Sequence, residues 1–181
     1  MGKPDHVSED CVSYESLPED RLADAKRQGQ AQFESILEMV QALNPPIGHP
    51  KYDPDGDKNS DELREEAEQR IHEDALSVEV RSDWYAPGAS HNQDNGPAEY
   101  RILLCTGGPA CQIVGELNEH CEPETARMEV QDWFQPWTEY RPTMPPAAPG
   151  EAMESDSPAA GCQETASDVM LAYARCFWFG E

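Results

Sequence analysis

The sequence predicts an α+β fold: two N-terminal helices, a four-stranded antiparallel β-meander and a C-terminal helix packed on the sheet. Three observations carry this. Apolar residues recur at steps of three and four before residue 75, and alternate at steps of two between 76 and 134. An apolar stretch then returns after a Pro- and acid-rich interruption and closes the chain. The 181 residues suffice for one domain with a core, plus tails.

Residues 1–15 are polar, lack periodicity and read as a mobile N-terminus. The main domain, 16–140, opens on Ser16-Leu17-Pro18-Glu19, a capping box with proline in the first turn. Behind it Leu22, Ala25, Gly29, Phe33, Ile36, Leu37, Val40 and Leu43 form one apolar stripe, which predicts a helix over 17–43. Asn44-Pro45-Pro46 ends it, because proline cannot continue a helix. After a loop rich in Pro, Gly and Asp, a second helix is expected over 60–74, with Leu63, Ala67, Ile71 and Ala75 on one face.

The period then changes to two. Leu76, Val78 and Val80 alternate with Ser77, Glu79 and Arg81, the pattern of a half-buried strand. In "EYRILLCTGGPACQIVGEL" two apolar runs flank Gly107-Gly108, a β-hairpin with a glycine turn. "ETARMEVQDWF" supplies the fourth strand, with Ala126, Met128 and Val130 on one face. Residues 141–164 are rich in Pro, Ala, Ser and acid and bury too little apolar surface to offset their ordering entropy, so a flexible linker is expected. In 165–181, Val169, Leu171, Cys176 and Phe179 suit a buried helix, 166–178, that completes the domain.

The charge balance is extreme: 36 acids against 13 Lys and Arg, a formal −23. Nucleic acids and anionic membranes are bound through Lys and Arg, so direct contact with either is not expected. The fitting partner is a basic protein or complex. No apolar run approaches the ~20 residues that span a bilayer, and the N-terminus has no apolar core of a secretory signal. A cytoplasmic protein with six reduced cysteines is expected.

Several motifs compete for chemistry. In "DPDGDKNSDELREE", Asp55, Asp57, Asn59, Asp61 and Glu66 fall near the ligand spacing of a calcium loop. Ser60 stands where that loop needs glycine, and no helix enters it. The same residues make a helix start: Asn59 or Ser60 as cap, Asp61 and Glu62 at the positive end of the helix dipole. Asp55, Asp57 and Asp61 therefore remain only a weak calcium set. Cys105, Cys111, His120 and Cys121 are zinc-type ligands, but their spacing matches no zinc module, and Cys105 sits in a strand as a small hydrophobe. "CTGGPA" lacks the lysine of a phosphate loop. His91, Asn92, Asp94 and Asn95 share a polar loop without a nucleophile, base and orienting group at recognisable spacing. The expectation is a protein that is not an enzyme and needs no cofactor.

Two features point to a surface instead. "QDWFQPWTEY" packs Trp133, Phe134, Trp137 and Tyr140 into one short stretch, which suits either a core or a contact patch. Asp61, Glu62, Glu65, Glu66, Glu68, Glu73 and Asp74 crowd the second helix. A helix rises ~1.5 Å per residue and duplex DNA carries a charge every ~1.7 Å, so clustered acids approach phosphate density. The expected function is a non-enzymatic inhibitor that occupies the basic groove of a nucleic-acid-processing complex by phosphate mimicry, with Trp133 and Trp137 as apolar anchors. The alternative is a calcium-binding or regulatory interaction module.

The segments "HEDALSVEVRSDWYAPG", "EYRILLCTGGPACQIVGELNEHCEPETARMEVQDWFQPWTEY" and "LAYARCFWFGE" resemble an uncharacterised family of small acidic proteins carried by phage, prophage and plasmid elements. The resemblance covers 72–140 and 171–181. It implies a mobile-element protein in a bacterial cytoplasm, in the company of anti-CRISPR and anti-restriction inhibitors, and hence a host defence complex as the target.

Overall fold

In a computed structural model the described residues are 19–44, 51, 53, 58–82, 96–146 and 164–180. The elements run α1 (Glu19–Leu43), α2 (Ser60–Asp74), β1 (Ser77–Ser82), β2 (Pro97–Cys105), β3 (Ala110–Glu116), β4 (Arg127–Gln131), β5 (Thr138–Tyr140) and α3 (Ala166–Ala174). The class is the expected α+β, but the antiparallel sheet has five strands in the order β1-β2-β3-β4-β5, not four. The addition is β5, which pairs Thr138 with Val130 and Tyr140 with Met128.

The core lies between one face of the sheet and a helical layer. Tyr100, Ile102 and Leu104 of β2, Cys111 and Ile113 of β3, and Met128 and Val130 of β4 point into it. From the other side come Phe33, Ile36 and Leu37 of α1 and Val169, Met170 and Tyr173 of α3. Gly29 lets α1 sit close to the sheet, since a Cβ there would lie 2.7 Å from Val130 Cγ1 and 3.0 Å from Tyr140 Cδ1. The buried surface of α1 is wider than the expected stripe. Met39 and Ala42 are buried as well, because α2 packs on α1 in addition to the sheet.

Among the described residues the helices lie mainly over β3 and β4. Val78 and Val80 share a face with Ile102 and Tyr100, their register partners, yet stay 38% and 48% exposed. Among the described residues no helix lies on the opposite face of the sheet, which is charged. Glu79 meets Arg101, Arg81 meets Glu99, and Gln112 donates to Glu129 over 2.8 Å.

Two expectations at the chain's flanks change. Residues 141–146 are not free: Gln30 of α1 donates to the Thr143 carbonyl and accepts from its N–H, both at 2.9 Å, and Met144 packs against the core. The last helix is shorter than 166–178. It ends at Ala174, after which Cys176 and Phe177 N–H groups bond back to Tyr173 and Ala174 carbonyls in a tight turn. Residues 1–15, the Ser16 capping box, the calcium-loop residues Asp55 and Asp57, the His91 loop and positions 147–163 lie outside the described residues.

Candidate functional site: an acidic helix and an aromatic turn

The helix start resolves in favour of Asn59. Its side-chain oxygen accepts from the N–H groups of Asp61 and Glu62, each over 2.9 Å, and the Glu62 carboxylate accepts from the Asn59 N–H. This reciprocal box satisfies donors that a helix N-terminus leaves without partners. Glu66, the would-be bidentate ligand of the calcium loop, is held by Lys58, whose ammonium lies within 2.7 Å of both carboxylate oxygens. That contact raises the Lys58 pKa above its ordinary value. Arg64 bonds Glu68 one turn on and is shifted up by the same cause.

Ala67 and Ile71 anchor α2 on its buried side. At ~100° per residue the acids fall on the remaining arc. Asp61, Glu62, Glu65, Glu66 and Glu73 are exposed, while Glu68 and Asp74 are half-buried. The helix spans 15 residues, or ~22 Å at ~1.5 Å per residue. The five exposed acids run from Asp61 to Glu73 and so average about 4–5 Å apart along the axis, sparser than the ~3.4 Å phosphate spacing of one nucleic-acid strand. The expected density is corrected accordingly: the exposed acids approach a single phosphate row only over residues 61–66, with Glu73 standing apart. The acids also differ in role. Asp74 accepts from the buried Tyr173 hydroxyl over 2.8 Å and belongs to the packing.

The aromatic stretch divides. Trp133 is 60% exposed and Phe134 96% exposed, with ring centroids 6.4 Å apart. Trp137 is half-buried and Tyr140 is tied to Gln30 by a 3.0 Å hydrogen bond. The Trp133 backbone has φ of +30°, a left-handed value that side-chain-bearing residues avoid. Such strain is of order 1–3 kcal/mol and is held by the surrounding structure. Here the Trp133 ring rests on Gly108, whose missing Cβ makes room for it. With Asp24, Pro109 and Asp132 the two rings line an open groove of about 460 Å³. Phe134 is not among the residues expected to bind; its place beside Trp133 in the aromatic-dense stretch is the signal in the sequence.

Only the C-terminal end of α2 points towards the aromatic turn. Leu63, Ala67 and Arg70 of α2 lie beside Ala42, so α2 starts near the C-terminal end of α1. Its other end brings Asp74 near Cys105, the last residue of the strand leading to the Gly108 turn. Asp61, Glu62, Glu65 and Glu66 lie towards the opposite end of α2 from that turn.

The zinc-type set does not come together. Cys105 and Cys111 face each other at one end of the β2–β3 hairpin. His120 and Cys121 sit in a turn beyond the far end of β3, with the His120 N–H bonded to the Asn118 side chain. A seven-residue strand separates the pairs, ~23 Å at ~3.3 Å per residue, far beyond shared coordination at ~2.0–2.3 Å. Among the described residues no three His, Cys, Asp or Glu groups converge as a metal site. Burial pushes the Cys111 thiol well above its ordinary range and Cys176 up to about 11, which makes them poor thiolates.

Comparison of the chain with protein-family models, curated proteins and solved structures finds no match. Among the described residues no helix is long and apolar enough to cross a membrane.

Proposed function

We propose that this chain is a non-enzymatic inhibitor that binds a basic, nucleic-acid-processing host complex, with α2 standing in for one strand of phosphates. The observation that carries the reading is the exposed acid row on a helix capped and pinned from below. Asn59 holds its start, Ala67 and Ile71 fix its buried side, and Asp61, Glu62, Glu65, Glu66 and Glu73 face outwards, four of them within the first two turns. A rigid charge row keeps more of its attraction than a mobile one, because less side-chain and backbone freedom is lost on docking. Trp133 and Phe134 add an apolar contact beside the Asp74 end of the row. A net charge of −23 steers the chain to such a groove and repels competing nucleic acid.

The test is affinity capture from a bacterial lysate carrying CRISPR and restriction systems, eluted in a salt gradient. The expected result is a nucleic-acid-binding complex that releases with salt and is displaced by DNA. The variant Asp61→Lys/Glu65→Lys/Glu73→Lys reverses three exposed acids and spares the Glu62 box and the Lys58–Glu66 and Arg64–Glu68 pairs. It is expected to bind at least tenfold more weakly, since three reversals at ~0.5 kcal/mol or more each exceed 1.4 kcal/mol. Equal capture by this variant would sink the mimicry reading.

A further inference from the structure

The edge of the sheet at β1 carries a second surface. Protein sheets guard their edges with short strands, Lys, Pro or bulges. At the far edge β5 has only three residues, but β1 has six, pairs regularly from Ser77 to Arg81 with its one register shift between Arg81 and Ser82, and carries Val78 and Val80 at alternate positions. Both valines and the neighbouring Leu76 are solvent-exposed. Hydrogen bonding sets which backbone groups are unpaired. The Leu117 N–H bonds the Ala98 carbonyl, so even-numbered residues of β2 face β3 and odd-numbered ones face β1. Glu79 and Arg81 are register partners of Arg101 and Glu99 and spend their backbone groups on β2. The N–H and C=O groups of Val78 and Val80 therefore point outwards, away from the sheet.

We infer that β1 pairs antiparallel with β1 of a second copy of this chain, about a two-fold axis through Val80. Charge selects the register. A symmetric pairing centred on Val80 places Glu79 opposite Arg81 of the second copy, twice. Centring on Glu79 sets glutamate against glutamate, and centring on Arg81 sets arginine against arginine. Like charges directly opposite destabilise a strand pair and unlike charges stabilise it. These positions are the non-hydrogen-bonded ones, where Cα atoms approach to ~4.5 Å and side chains are closest. Each chain already pairs Glu79 with Arg101 and Arg81 with Glu99, so dimerisation joins the pairs into one row of alternating sign across the axis. On the other face the exposed valines of both copies become continuous. Strand pairing alone buries less than the ~1,200 Å² of a standard stable interface, so the association is weak and reversible. Each copy carries −23, so long-range repulsion opposes it. Salt near 0.15 M, with a Debye length of ~8 Å, screens that repulsion and strengthens the dimer.

Sedimentation equilibrium of the full chain tests this. A monomer–dimer equilibrium at tens to hundreds of micromolar, favoured by moderate salt, is expected. Val80→Pro removes an outward N–H without breaking a bond to β2, so it should give a folded monomer of unchanged circular dichroism. Val80→Cys should give a covalent dimer under mild oxidation, because Cα atoms of a hydrogen-bonded pair are ~5.5 Å apart, within disulfide reach. Val78→Cys should not, since two copies of that position lie several residues apart in this register. Peptide mapping distinguishes the introduced thiol from the native cysteines. Three results overturn the inference: a chain that stays monomeric near 1 mM, a folded Val80→Pro variant that dimerises like the parent, or bridging through position 78 in place of 80. If Val80→Pro fails to fold, the cysteine pair decides alone.

Discussion

Replacing Gly115 by alanine probes how closely β3 lies against its neighbours. A Cβ at Gly115 would meet the Tyr100 ring, with Cε1 at 2.6 Å and Oη at 2.7 Å, and the Thr125 carbonyl oxygen lies inside contact distance as well. Ordinary carbon contacts are ~3.5–4.0 Å, so the ring and the strand backbone must each retreat by roughly 1 Å. Tyr100 is fully enclosed, and its hydroxyl donates to that same Thr125 carbonyl over 2.7 Å. Overpacking of this kind costs about 1–3 kcal/mol, and loss of the Tyr100 hydrogen bond adds about 1 kcal/mol. The alanine recovers only ~0.4–1 kcal/mol by restricting the unfolded chain. The net is a loss of about 1–3.5 kcal/mol, or roughly 3–10 °C in Tm for a chain of this size. Chemical and thermal denaturation of Gly115→Ala, Tyr100→Phe and the double variant reads this out. Tyr100→Phe alone should cost about 1 kcal/mol. The double variant should fall near Gly115→Ala, because the shared hydrogen bond is not lost twice. A Gly115→Ala midpoint within about 2 °C of the parent would refute the close approach.

Other outcomes follow from contacts already described. Asn59→Ala should destabilise by about 1 kcal/mol, read by urea denaturation, because two N–H groups of α2 lose their acceptor. Tyr173→Phe should cost about 1–2 kcal/mol in the same assay, since the half-buried Asp74 carboxylate loses its donor. Cys176, whose pKa rises from 9.0 to about 11 mainly through burial, should be alkylated in the native chain about 100-fold more slowly than in the unfolded one at pH 8. Its neutral form is the one the fold prefers. The stabilisation it provides is complete below pH 9 and lost as pH rises through about 11. Tm should fall over that window, and Cys176→Ala should flatten part of the fall.

Both described N-terminal helices were legible because their apolar residues keep a helical period over several turns, and α2 carries its own start signal in Asn59. Strand β5 was not. Three residues with an exposed Glu139 at the centre show no alternation long enough to read, and pairing with β4 makes the strand. The alternation of Val78 and Val80 signals a strand, but their burial depends on what stands over it, and both stay exposed. The acid row was visible as composition. Which acids face outwards and which, like Asp74, hold the packing together needed α3 in place. The four-residue zinc-type set looked close only along the chain, because a full strand keeps its halves apart. Trp133 and Phe134 owe their exposure to a left-handed backbone turn that no residue type announces.

The sheet is a meander in which every strand pairs with its neighbour in sequence. Such local pairing forms quickly and in order as a chain leaves the ribosome. The last helix breaks that order. Val169, Met170 and Tyr173 occupy the centre of the core, and they emerge only after all five strands. Until then a nascent chain holds a sheet whose apolar face is covered by α1 but still lacks α3. The dense acidic charge of the segments made first gives that intermediate a means of staying apart from its copies while it waits.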